Sequence, residues 1–237
     1  MKRLFAFFNL VLLSINFSLA ADLDLRNVVI QEKLELPDVV EGSLNLSGLY
    51  SLKDIILPKE VKGDLFLSSL FVADTVFFPE KLEGSLYVES IIEANDLVLP
   101  QVTIGGIYFD RLEKINELQF PKLILKDVHF PALKEIDKLI LPQVVGGSVD
   151  LGQLKNLRGV HLPDEVRKNL LLSSIDPEFY THLPKSVGGN LFIESVSDIS
   201  KIRLPKYIGG DIYISNIKEI DKDLLPTDFT GQIYVLP

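Results

Sequence analysis

The residues most able to do chemistry in this chain recur at one spacing. His161 and His182 stand 21 residues apart, and Arg203 follows after another 21. If the chain coils with that period they stack, and two imidazoles about 4.8 Å apart suit a shared metal. No third Cys, His or carboxylate adjoins them in that register, and Arg203 opposes a cation. A solvated strand face, without a metal, is the expectation. A second row is small and polar: Asp22, Ser43, Asp64, Ser85, Asp127, Ser148, Asn169, Asn190 and Asp211. Calcium needs several converging carboxylates, whereas Ser usually separates these Asp residues by two repeats, so strand-opening turn chemistry explains the row better.

The third row is aromatic. Phe66, Tyr87 and Tyr108 lead to His129, and Phe192, Tyr213 and Tyr234 follow later at the same spacing. Rings aligned on the outer face of a sheet suit sugar rings or a protein partner. They equally serve as cross-strand packing. Enzymatic signatures are missing: the chain has no phosphate-cradling glycine loop, no nucleophile elbow and no metalloprotease histidine pair. Secreted β-helix enzymes cleave polysaccharides with acidic clusters, usually on long loops that break the repeat, and no stretch here is long enough. No catalytic residue and no cofactor are therefore expected.

A repeat must position these rows. Glycine falls at 42, 63, 84, 105, 147, 189, 210 and 231, all multiples of 21 apart, and Lys126 and Lys168 fill the gaps. With that residue as position 0, position 16 is proline, and ten of the 13 prolines share this phase, each after Leu or Phe. Such a period marks a solenoid whose units bury their apolar sides on their neighbours. Positions 2 and 4 are apolar, as in Leu65/Leu67, Ile107/Phe109 and Ile212/Ile214, and this alternation predicts a strand with one buried face. Positions 7 and 10 read as inward corners. Positions 13 and 15, such as Leu97/Leu99, predict a second strand that ends at proline, which lacks an amide donor. Position 19 tucks a return turn onto the core, and glycine is expected there for an unusual backbone angle. Two units depart: Lys126 to Pro131 lacks the glycine and carries an extra proline, and Arg167-Lys168-Asn169 replaces a glycine turn. These read as divergence in a tolerant repeat, or as a bend or notch in the rod.

The pattern Leu52-Lys53-Asp54-Ile55-Ile56-Leu57-Pro58-Lys59-Glu60-Val61 resembles bacterial leucine-rich repeats, closest to the treponemal subclass with its proline-ended strands. The likeness covers essentially all of 21–237. That subclass has a longer unit with an Ala-Phe and a Cys, both missing here, and the usual Asn ladder is absent, so a right-handed β-helix is the alternative. The resemblance implies binding of a macromolecule through a sheet face.

Residues 1–20 form a secretory leader: Lys2 and Arg3, an apolar run from Leu4 to Leu13, and Ser18-Leu19-Ala20 before a cleavage point. Without it, 22 basic residues face 33 acidic ones, a net charge of −11. That balance excludes nucleic acid and anionic membrane surfaces as partners. No later segment is apolar for long enough to cross a bilayer, so membrane insertion is not expected. With no Cys there is neither a lipid-attachment cysteine nor a disulfide, and the core alone must hold the fold.

The expectation is a mainly β protein. It is a leader followed by one parallel β-solenoid domain of leucine-rich-repeat type over 21–237. About ten coils would make a rod on the order of 50 Å long. It would be an extracytoplasmic, non-enzymatic scaffold that binds a protein or glycan through Phe66, Tyr87, Tyr108, His129, Phe192, Tyr213 and Tyr234. A polysaccharide-acting β-helix enzyme is the runner-up. End-to-end self-association is a third reading, because the sequence stops at Tyr234-Val235-Leu236-Pro237 without a polar cap.

Overall fold

The apolar alternation at positions 2 and 4 folds into one strand per coil, and these strands make the principal sheet. The computed structural model describes residues 22–26, 33–70, 75–154, 156–175, 182–196, 198–217 and 220–236. The leader expected over 1–20, Ala21 and Pro237 lie outside them. This first sheet has eleven parallel strands, from Leu23–Asp24 to Ile233–Leu236. Each residue opposes the one 21 later, as Leu23 opposes Leu44, Leu86 opposes Ile107 and Ile212 opposes Ile233. Position 2 is sealed from solvent in nine successive coils, from Leu44 to Ile212. Each such side chain contributes on the order of 1.5–3 kcal/mol of apolar burial.

The second sheet follows the other expected strand. Leu34–Glu35 pairs with Ile55–Ile56, and Thr75–Phe77, Glu93–Val98, Lys114–Gln119, Glu135–Ile140 and Val160–His161 form a five-stranded stretch. Its inward residues, among them Leu97, Leu118 and Leu139, meet the first sheet in one continuous core. Phe109 and Phe130 stack there at 5.1 Å between ring centres, and Phe78 and Phe120 pack edge-on against them.

Nine coils also carry a third strand where only a return turn was expected. Two residues per coil pair at positions 18 and 19, as Val39–Val40 with Glu60–Val61 and Val144–Val145 with Glu165–Val166. The buried position-19 side chain holds this face down, and Val61, Val145 and Val187 are fully enclosed. Two-residue strands carry no readable alternation, so nothing in the sequence distinguishes them from a turn. Among the described residues no helix is long and apolar enough to cross a membrane.

The repeat glycines serve a different purpose from the one expected. Among described glycines only Gly159, which is outside the repeat position, has a positive φ (76°). The repeat glycines are small because coils touch there. A Cβ on Gly84 would lie 2.3 Å from the Gly63 carbonyl carbon, and one on Gly105 would lie 2.2 Å from the Gly84 oxygen. The same contact carries a backbone ladder, with Gly84 N–H donating to Gly63 and Gly105 N–H to Gly84, each at 3.1 Å.

The polar row at position 1 is likewise a spine between coils rather than local turn chemistry. Each side-chain oxygen accepts from the position-1 N–H one coil later. Asp64 accepts from Ser85, Ser85 from Gly106, Asn169 from Asn190, and Asn190 from Asp211, at 2.7–3.1 Å. Sheet pairing at position 2 leaves these N–H groups over, and a buried donor needs a partner.

Candidate functional site

Position 3 lies between two buried residues of the first sheet, so its side chains point outward. Phe66, Tyr87, Tyr108, His129, Phe192 and Tyr213 are half-buried, and Tyr234 is exposed. Strand spacing brings the rings face to face. Phe66–Tyr87 and Tyr87–Tyr108 stack at 4.9 Å and within 8° of parallel. Phe192–Tyr213 and Tyr213–Tyr234 stack at 4.6 and 4.7 Å, both at 11°. The structure thus brings the seven expected residues into one row as two separate columns. Their ring faces cover one another, leaving edges and hydroxyls outward.

The gap between the columns holds His129, Asp150 and Leu171, and its first two residues are ionic. His129 tilts 54° from Tyr108 at 6.1 Å and directs Nδ1 to Asp150 Oδ2 at 3.2 Å. Its Nε2 faces Asp110 Oδ1 at 3.9 Å. The bond to Asp150 raises the His129 pKa above its ordinary value, against the opposing effect of burial, and Asp110 and Asp127 add to the rise. Burial pushes Asp150 upward, but His129 and the Gly152 N–H outweigh it and hold the carboxyl below the usual range. Tyr108 donates to Asp127 Oδ2 at 3.1 Å, and burial, then that carboxylate, push its hydroxyl up to about 12.

A histidine oriented by one carboxylate is half of a general-base arrangement. Here Nδ1 is paired with Asp150 and Nε2 faces Asp110, which favours the imidazolium. The cluster is a charged end to the first column, separated from the second by Leu171. Its carboxylates escaped the aromatic reading of the row, although Asp150 follows His129 by 21 residues in the same register.

The polar row meets this face through Asp127 and Asp211, which accept from Tyr108 and Tyr213, but the histidine row does not. His161 ends a strand of the second sheet and is exposed, and His182 bridges Arg203 in the coil beyond. Among the described residues no three His, Cys, Asp or Glu side chains are grouped to hold a metal. A shallow groove of about 440 Å³ runs along the proline corner, past Val98, Pro100, Gln119, Pro121 and Ile140. None of the expected contact residues lines it. No protein-family model matches the chain, and neither a curated protein nor a solved structure is similar to it.

Proposed function

We propose that the protein is an exported, non-enzymatic binding scaffold that presents the outer face of its first sheet to a protein partner. One observation carries the reading: two in-register columns, Phe66–Tyr87–Tyr108 and Phe192–Tyr213–Tyr234, flank a charged His129–Asp150 pair on one continuous sheet. Aromatic edges around a fixed charge pair offer apolar contact and directed hydrogen bonds, the mixture protein interfaces use. A pyranose ring would need an open ring face, and within each column neighbouring rings occupy those faces. This favours a protein over a glycan. The leader over 1–20 supports export, and the likeness to bacterial leucine-rich repeats supports recognition through a sheet face.

The experiment is a binding screen of the purified protein against exported and surface proteins, with glycans alongside. It is repeated with Tyr87→Ala/Tyr108→Ala. A protein ligand lost in the double variant, with an unchanged circular dichroism spectrum, supports the reading. Glycan ligands alone would overturn the choice of partner.

End-to-end pairing is a second reading with one observation behind it. The outer edge strand Ile233–Leu236 exposes Tyr234, Val235 and Leu236, each 39–47% accessible. Light scattering showing a monomer at high concentration would remove it.

A further inference from the structure

At one step between coils four separate observations coincide. The third sheet breaks there. Val102–Thr103 closes a four-stranded stretch and Leu123–Ile124 opens a five-stranded one, with no register pair between them. The glycine corner breaks too. Gly63, Gly84, Gly105, Gly147, Lys168, Gly189 and Gly210 each donate to the residue 21 before, whereas Lys126 does not donate to Gly105, nor Gly231 in the last coil to Gly210, and Leu125 N–H instead meets Ile104 O at 3.2 Å. The polar spine has its gap at the same place, since Gly106 offers no side chain to the Asp127 N–H. Finally, the Thr103 hydroxyl, 1% exposed, has no hydrogen-bond partner.

The side chain at 126 is not enough to cause this. Lys168 also replaces the glycine, yet its N–H keeps its bond to Gly147 at 3.1 Å. Next to Lys168, Asn169 stands above Ser148 and donates to its hydroxyl, while next to Lys126, Asp127 stands above Gly106, which has no side chain. Loss of the glycine alone does not break the corner, and the Lys126 step also lacks the polar side chain below.

The other two faces stay joined across this step. Ile107 N–H reaches Asp127 O and Phe109 N–H reaches His129 O, both at 2.9 Å. Lys114–Gln119 and Glu135–Ile140 keep their long pairing on the second sheet, and the Phe109–Phe130 stack fills the core between them. One face whose ladder is reduced to the single Leu125–Ile104 bond, beside two that keep theirs, is the geometry of a hinge. Exposed Val102, Ile104, Leu123 and Leu125 flank its mouth.

We propose that the solenoid is two rigid segments joined at this step, which bend by opening and closing the third face between Val102–Thr103 and Leu123–Ile124. Because the first sheet is continuous there, bending changes its curvature where Tyr108 meets His129. The inference is independent of what the sheet face binds.

The chain has no Cys, so spin labels can be placed at chosen exposed sites. Glu80→Cys/Gln143→Cys spans three coils across the step, and Gln143→Cys/Lys206→Cys spans three coils beyond it. Distance distributions should be at least about twofold wider for the first pair, and Lys126→Gly should narrow them toward the second. Equal widths for the two pairs would overturn the hinge. A wide distribution unaffected by Lys126→Gly would overturn its assignment to this step.

Discussion

Thr103 holds the only buried side-chain polar atom without a partner among the described residues, at a position where other coils place Val, Leu, Ile or Phe. Replacing it with Val removes an unpaired hydroxyl at nearly constant volume. Thr103→Val should stabilise the chain by about 1 kcal/mol in urea unfolding. An unchanged or lower midpoint would mean that the hydroxyl does find a partner in solution. His129 sets a pH dependence. Its folded pKa lies above the ordinary 6.5, so its contribution is complete below that value and is lost as pH rises through the folded one. Asp110, Asp127 and Asp150 are the charged groups that act on it. The wild type should therefore lose stability relative to His129→Gln as pH rises from about 6.5 through the raised folded value, and equal slopes for the two proteins would contradict this. The ring row was legible from residue type and spacing alone. The carboxylates that charge its centre were not, because a row read for aromatics ends where the aromatics end.

At the level of the elements, two kinds of contact between coils do different work. The position-1 spine satisfies N–H groups that sheet pairing leaves over, so Asn190→Ala would strand the Asp211 donor now bonded at 2.8 Å. A loss of about 1–2 kcal/mol is expected, measured by denaturant unfolding. The glycine corner is steric. Gly84→Ala places a Cβ 2.3 Å from backbone and should cost about 2 kcal/mol or more, whereas at Gly152 the nearest atom is a side-chain oxygen 3.3 Å away. Similar effects for the two substitutions would show that the coils can separate without strain. The first two strands of each coil were legible because alternation and the terminal proline mark them. The third was not, and the purpose of the glycines was misread for a related reason. A periodic glycine looks the same in sequence whether it serves a positive φ or a close approach, and only stacked coils distinguish the two.

Over the whole molecule, the uninterrupted count of 21 was enough to establish a parallel solenoid with every residue opposite its counterpart one coil later. The same count flagged the Lys126 unit, but it flagged Lys168 equally, and only the residue beneath each distinguishes a hinge step from a tolerated one. Cross-coil ion pairs such as Lys59–Asp38, Lys134–Glu113 and Lys185–Asp164 repeat along the rod on exposed surface. Each adds well under about 1 kcal/mol, so moderate salt should leave the unfolding midpoint nearly unchanged. What the sheet face binds is the central claim. Its most direct measurement is the affinity of a captured protein ligand for three forms: wild type, Tyr87→Ala/Tyr108→Ala on the first sheet, and Val102→Ser/Leu123→Ser on the third. The account predicts at least about a tenfold loss for the first variant and none for the second. Loss confined to the third-face variant, or equal affinity in all three with the fold intact, would contradict it.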